Sequence, residues 1–284
     1  MIEGSTPTND TAPAMYLDLM ARCLTRFGMG DEYERFEPAR GRLGRALFLP
    51  FRALLRTRNL EVVTRRPFDP ALRMEGRDWP SDAETMIGIK RLENVRACVI
   101  DVLERGVPGD LLEAGVWRGG TTIFMRAILK AYGDTTRTVW AADSFQGLPK
   151  PDAAAYPADA NDIHWQFARL VITLDDVKEN FRKYGLLDEQ VRFLVGWFKD
   201  TLPGAPIERL AVLRLDGDMY ESTMDTLNAL YPRLSPGGYV IVDDYGALPN
   251  CRAAVDDYRA RHGIAEEIRT VDWSGIYWQR RTAP

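Results

Sequence analysis

A chain of 284 residues can bury one sizeable core, and 45% hydrophobic with 27% charged residues places it among ordinary globular proteins. A net charge of −4 offers no electrostatic attraction for nucleic acid, and no run approaches the roughly 18 apolar residues of a membrane span. Cys23, Cys98 and Cys251 are odd in number, far apart and free of any CxxC or Cys/His cluster, which argues against a disulfide framework or a zinc site and for a reducing, cytoplasmic setting.

Residues 1–13, rich in Thr, Pro, Asn and Asp, are expected to be a disordered tail. Structure is expected from near Met15, where Tyr16, Leu19, Met20, Cys23, Leu24 and Phe27 recur at helical spacing and the pattern ends at glycines. The basic and apolar stretch at 40–66 reads as a cover over a site or a subunit contact in preference to a membrane-surface helix, with Pro50 breaking it. After a Pro- and Asp-rich turn, Ser81 followed by Glu84 has the spacing of a capping box for a helix through 83–106. Residues 14–80 are thus an N-terminal helical extension or lid, and 81–284 the main domain.

From Gly109 onward, short β-prone runs alternate with longer helical ones: "DLLEAG", "TTIFMRAILKAYG", "TVWAADSF", "DVKENFRKYGL", "VRFLVGW", "LAVLRLDG", "MDTLNALYPRLS", "GYVIVDDY", "CRAAVDDYRARHG". This alternation predicts an α/β fold with a doubly wound, mostly parallel sheet covered on both faces, whose ligands bind at the carboxyl ends of the strands.

The first strand-to-helix turn, "LLEAGVWRGGTT", sets Glu113 among Gly115, Gly119 and Gly120. It is not the G-x-G-x-x-G of a dinucleotide fold, because Trp117 takes the middle position with Arg118 beside it. An acid there repels phosphate and suits a ligand with a cationic amino acid end, the character of S-adenosylmethionine; a purely structural glycine turn explains the pattern as well. Asp143, with Ser144 beside it, ends the next strand where a carboxylate takes both hydroxyls of a ribose, a placement nicotinamide enzymes share, or else caps the following segment. Trp197 and Phe198, at the end of the third strand, are placed to wall an adenine or to pack the core.

Asp216 and the Asp243–Asp244 pair end two further strands, 243 minus 216, or 27, residues apart. That is one strand–helix–strand step, so both ends open on the same edge of the sheet. Like charges brought together raise each other's pKa or require a cation, and a hard divalent ion with oxygen ligands is the simplest remedy. Mg²⁺ is favoured, with Ca²⁺ or Mn²⁺ as substitutes; helix N-caps or solvated loop acids are the plainer reading. His164 lies in the long loop after Asp143 as a second base candidate or a surface histidine, and His262 sits at an apparent helix end. Trp165, Phe167 and Tyr220 read as acceptor walls or core.

With "ETMIGIKRLENV", "LEAGVWRGG", "ADSFQGLP", "NFRKYGLLDEQVRFLVGWFKDTLP", "RLDGDMYESTMD" and "YPRLSPGGYVIVDDY", the sequence from about residue 81 to the C-terminus resembles the macrocin and mycinamicin O-methyltransferase (TylF) family. Residues 38–80 fit the family pattern less clearly, in the region where members close a lid over the acceptor. The resemblance implies a Rossmann-like class I methyltransferase fold, dependence on S-adenosylmethionine and Mg²⁺, and methylation of a deoxysugar hydroxyl on a bacterial secondary metabolite. It further implies a glycosylated small-molecule acceptor and a homo-oligomer, dimer or tetramer. By it, Asp216, Asp243 and Asp244 correspond to metal ligands and Asp218 to the general base. Glu113, Gly115 and Asp143 match the cofactor site, to which Gly119, Ser144, Trp197, Phe198 and Asp216 are added. Three other readings stay open on the residues themselves: a phenol or catechol acceptor, a nicotinamide oxidoreductase, and a non-catalytic nucleoside- or metal-binding module.

Overall fold

The computed structural model describes residues 11–36 and 42–281. Helix α1 (Ala12–Thr25) starts one turn earlier than its apolar periodicity, because the Thr11 hydroxyl accepts the Ala14 N–H (3.3 Å) and Pro13 suits the first turn. The expected disorder of 1–13 therefore fails at its last residues; residues 1–10 lie outside the described ones. Strand β1 (Glu32–Arg35) pairs antiparallel with β2 (Val63–Arg66), and between them runs helix α2 (Arg42–Arg56). Two expectations are corrected here. Pro50 does not break α2 but sits inside it at an exposed position, where water can take the carbonyl that a proline leaves unpaired. The β1–β2 ribbon was not foreseen, since β2 is exposed throughout and carries no apolar alternation; cross-strand pairs such as Glu34–Arg66 (2.8 Å) join it instead.

A short helix α3 (Pro70–Met74), capped by Asp69, leads to α4 (Ile89–Glu104). Ser81 and Glu84 do not cap α4, whose N-cap is Gly88. Tertiary contacts hold residues 81–84 in a different form: Arg118 donates to the Ser81 and Ala83 carbonyls (2.5 and 2.9 Å), and the Glu84 carboxylate accepts from the Tyr184 hydroxyl (2.8 Å). A capping box does form elsewhere, between Thr173 and Asp176 at the start of α6 (Leu174–Lys183).

The main sheet takes β3 (Asp110–Ala114), β4 (Val139–Asp143), β5 (Val191–Val195), β6 (Leu210–Leu215), β7 (Leu234–Val242), β8 (Arg269–Thr270) and β9 (Ile276–Gln279), in spatial order β5-β4-β3-β6-β7-β9-β8. The first five are parallel; the two short C-terminal strands add an antiparallel edge. Helix α5 (Gly120–Ala131) follows β3, α7 (Phe198–Thr201) follows β5, and α8 (Tyr220–Leu230) and α9 (Pro249–Arg261) follow β6 and β7. Strand side chains bury both ways. Leu111, Ala141, Val212 and Ile241 join the core with α1, α4, α5 and α6, while Leu112, Leu213, Leu215 and Val242 join that of α8 and α9. Each such leucine, isoleucine or valine contributes about 1.5–3 kcal/mol on burial, so two dry faces make the sheet the rigid part of the molecule.

Chain order reverses at β3, which lies between β4 and β6, and the crevice outside this switch point is where the fold presents a ligand site. The ladder continues one residue past each strand. Gly115 N–H bonds the Ala142 carbonyl (2.8 Å), Asp216 N–H that of Ala114 (2.8 Å), and Asp243 N–H that of Leu215 (2.9 Å), so the first loop residues stand side by side. Gly115 has φ +88°, and a Cβ on it would lie 1.9 Å from the Asp216 carbonyl oxygen. Only glycine lets β3 and β6 close this tightly at their tips.

Candidate active site

One cavity opens at the carboxyl ends of β3, β4, β5, β6 and β7. Its floor includes Glu113, Gly115, Asp143, Trp197, Asp216, Asp218, Asp243 and Asp244; Trp79, Met86, Phe167, Leu170, Leu248 and Trp273 supply apolar wall. Ser144, Phe198 and His164 line it too, whereas Gly119, Trp165 and Tyr220 do not. Gly119 is instead the N-cap of α5 at φ +85°, packed so closely that a Cβ would stand 2.9 Å from Val177 Cγ1. Tyr220 donates its hydroxyl to Asp257 (2.9 Å), Lys150 lies over the Trp165 ring, and His262 is the C-cap of α9, stacked on Tyr258.

Asp216, Asp243 and Asp244 each offer a carboxylate oxygen such that the three atoms lie within 4.8 Å of one another, the one such set among the described residues. Asp244 Oδ2 is buried without a hydrogen-bond partner. An orphaned buried carboxylate oxygen facing two others in an all-oxygen set fits a hard divalent cation. The acids also perturb one another. Burial, and then the charge of Asp218, raises Asp244 well above the usual carboxylate range. Burial and Asp243 raise Asp216, against the pull of Arg214. Burial and then Asp216 push Asp218 up to about 7. Asp218 holds a left-handed φ of 58°, a conformation costly for most side chains and tolerated best by Asn and Asp among those other than glycine.

Sequence reasoning missed two arginines. Arg214, fully buried one residue before the end of β6, donates to Glu113 (2.5 Å), Asp216 (2.7 Å) and Asp243. Arg91 of α4 reaches across to Asp243 and pairs with Asp272 (3.0 Å). Burial disfavours the charged form of Arg214, but Asp243, Asp216 and Glu113 outweigh it and keep the guanidinium protonated. The negative charge at the strand tips is therefore balanced partly by protein cations. Glu113, Asp216, Asp243 and Asp272 each meet a guanidinium, whereas Asp218 and Asp244 meet none, and a further cation would relieve the crowding that raises both.

These contacts also bear on the cofactor residues. Glu113, pushed up to about 7 by burial with Arg214 opposing, accepts from Arg214 and Thr122, so it meets a protein cation before any ligand's. Asp143 accepts the Val116 and Phe145 N–H groups (2.8 Å each), bracing the glycine turn while still lining the cavity. Ser144 donates to the Gly147 carbonyl (2.7 Å) and accepts from Gln146 N–H, and so serves its own turn. Phe198 stands over Gly217, where a Cβ would meet its ring at 3.1 Å.

The profile of the family "Macrocin-O-methyltransferase (TylF)" matches residues 13–280. The chain belongs to the macrocin O-methyltransferase family. It is 60% identical to the demethyldecarbamoylnovobiocin O-methyltransferase of Streptomyces niveus over 283 residues, 99% of this chain and 98% of that one. It is 58% identical to the 8-demethyl-8-(2,3-dimethoxy-α-L-rhamnosyl)-tetracenomycin-C 4'-O-methyltransferase of Streptomyces olivaceus over 212 residues, 74% of this chain and 81% of the other. The solved structure of the O-methyltransferase NovP superposes with a TM-score of 0.80 at 50% identity, covering 95% of this chain and 100% of that one. This macrocin-family chain is thus an O-methyltransferase of Rossmann-like α/β fold with S-adenosylmethionine as methyl donor. The family match reaches back to residue 13 and so includes residues 38–80, where the sequence fits the pattern less clearly. Among the described residues no helix is long and apolar enough to cross a membrane.

Proposed function

We propose that this enzyme methylates a hydroxyl of a deoxysugar carried by a bacterial natural product, with Mg²⁺ held by Asp216, Asp243 and Asp244 and with Asp218 as the base. The observation that carries the reading is the three-aspartate set with its unpartnered Asp244 oxygen beside Asp218, in a cavity to which Trp79, Met86, Phe167, Leu170, Leu248 and Trp273 add apolar wall. Kinship with a methyltransferase whose name specifies a rhamnosyl acceptor supports the sugar.

A sugar hydroxyl is a weak nucleophile, because its proton is held far above neutral pH. A bound divalent cation would act as Lewis acid and template, lowering that pKa and fixing the oxygen's direction. S-adenosylmethionine supplies a sulfonium methyl as electrophile. The chain's own residues do the rest. Asp218, on the strained turn between β6 and α8, takes the proton released as the oxygen attacks, and burial raises its carboxyl above the usual carboxylate range, the direction a base working at neutral pH needs. Arg214 and Arg91 hold Asp243 from both sides and leave lone pairs on its oxygens for a cation. Trp79, Met86, Phe167 and Trp273 keep water from the reacting atoms. Gly115 lets the tips of β3 and β6 close to the spacing this alignment needs.

Desmethyl glycosides of macrolide, aminocoumarin and tetracenomycin type, each assayed beside its aglycone and beside catechol, test the acceptor class. Transfer to a glycoside and to none of the aglycones or catechol is expected. Turnover of catechol or a free aglycone at a comparable kcat/KM would replace the sugar with a phenol.

A further inference from the structure

The long segment between β4 and α6 is fastened to the catalytic edge of the sheet by two buried aspartates. Asp159, fully buried at the end of the 3-10 turn Pro157–Asp159, accepts the Tyr220 and Glu221 N–H groups (2.8 and 2.9 Å) and the Asn250 side chain (3.0 Å). Those two N–H groups open α8 and lack partners within it, so a carboxylate is well matched there in hydrogen bonding and in charge. Asp218 lies two residues before Tyr220, and the grip therefore sets this loop in a fixed relation to it.

Asp162, whose side chain is 4% exposed, accepts the His164 backbone N–H (2.8 Å) and faces His164 Nδ1 with both oxygens, at 3.0 and 3.2 Å. Asn250 Nδ2 approaches the same carboxylate (3.4 Å), and Phe167 closes edge-on against the imidazole, with ring centroids 5.4 Å apart. An ionised carboxylate only accepts, so Nδ1 must carry the proton and the lone pair of the neutral ring lies on Nε2. That atom has no hydrogen-bond partner among the described residues, although the ring lines the cavity. Two hydroxyls of the same cavity, those of Ser144 and Ser274, are by contrast spent on backbone carbonyls.

We propose that His164, locked by Asp162 as the Nδ1–H tautomer, is an acceptor-recognition residue whose Nε2 accepts a hydrogen bond from a sugar hydroxyl other than the one methylated. The proposal rests on the sugar reading above. In that reading Asp218 and the three-aspartate set claim the reacting oxygen, and a deoxysugar presents further hydroxyls around the same ring. Neutral imidazole locked in this way accepts a hydroxyl proton but cannot donate from Nε2, so the site selects a free hydroxyl over an ether or a deoxy position.

Two measurements on the full-length enzyme test this. In ¹⁵N-histidine spectra the chain has only His164 and His262 to assign, and His164→Gln identifies the first. At neutral pH, Nε2 of His164 is expected to be the unprotonated nitrogen; Asp162→Asn, whose amide donates to Nδ1, is expected to invert the tautomer. A protonated Nε2 in the unaltered enzyme overturns the proposal. The second measurement is the Kd of methyl α-L-rhamnopyranoside and its 2-, 3- and 4-deoxy analogues, with S-adenosylhomocysteine and Mg²⁺ present. His164→Ala and Asp162→Asn should each weaken the parent glycoside roughly three- to tenfold, the worth of one hydrogen bond, while His164→Gln, which retains an acceptor, recovers part of the loss. One deoxy analogue should be as weak for the unaltered enzyme and lose nothing more in His164→Ala. Equal losses for every analogue, or no loss, overturn the role of His164 while the sugar reading stands. Failure of the unaltered enzyme to bind any glycoside overturns the sugar reading and the proposal together, whatever the tautomer.

Discussion

Replacing Asp218 by Asn is expected to lower kcat by about 10²–10⁴-fold, the span that general-base catalysis contributes, while S-adenosylmethionine binding stays as it was. Asn keeps the shape of the side chain and tolerates the left-handed φ of 58° that this turn imposes, so the loss isolates the proton acceptor from the backbone. Asp218 is also the carboxylate best placed for the task. Asp216 and Asp243 are tied to Arg214 and Arg91, and Asp244 belongs to the three-oxygen set, which leaves Asp218 the one acid of the cluster engaged by no guanidinium and outside that set. Single-turnover kinetics with calorimetric measurement of cofactor affinity check it. A kcat within a factor of about two of the original would remove Asp218 from the proton transfer, since less than 0.5 kcal/mol of barrier would then separate the two enzymes.

Arg214→Met is expected to cost about 3–5 kcal/mol of folding stability, the scale for stripping one partner from a buried ion network. The guanidinium is fully buried and touches three carboxylates at once, and its loss leaves Glu113 and Asp216 without a paired cation and Asp243 with Arg91 alone. Lysine is an informative companion. It restores a positive charge but not the planar fork that spans Glu113, Asp216 and Asp243, so Arg214→Lys should recover only part of the loss. Urea denaturation of the three proteins checks this, and equal stability of the Met variant and the unaltered enzyme would mean that Arg214 does not neutralise the strand tips.

What was legible from sequence follows from local rules. The alternation of apolar runs with helical periods marked the strands, and a strand–helix–strand step of ordinary length placed Asp216 beside Asp243–Asp244 before any coordinates. The rest required contacts that cross the fold. Arg91 lies 152 residues from Asp243 in the chain, and nothing in an amphipathic helix says that one of its arginines turns inward. Arg214 did carry a signal, a lone charge within the buried run "LAVLRLD", two residues before Asp216. A charge in a strand interior is stable only if something opposite meets it. Ser81 and Glu84 had the spacing of a capping box, yet Arg118 and Tyr184 held that segment in another conformation, as tertiary contacts commonly do to local propensity. The fastening of the His164 loop was invisible for a related reason: Asp159 serves a helix that begins 61 residues later.

Electron paramagnetic resonance of Mn²⁺ titrated into the purified enzyme tests the central claim most directly, because it reads the cation rather than turnover. One Mn²⁺ bound per chain is expected, displaced by Mg²⁺ and lost in Asp244→Asn, whose replaced oxygen is the one the fold leaves unpartnered. Binding that survives Asp244→Asn at full affinity, or enzyme that holds no Mn²⁺ while transferring methyl groups in the presence of a chelator, would contradict the account.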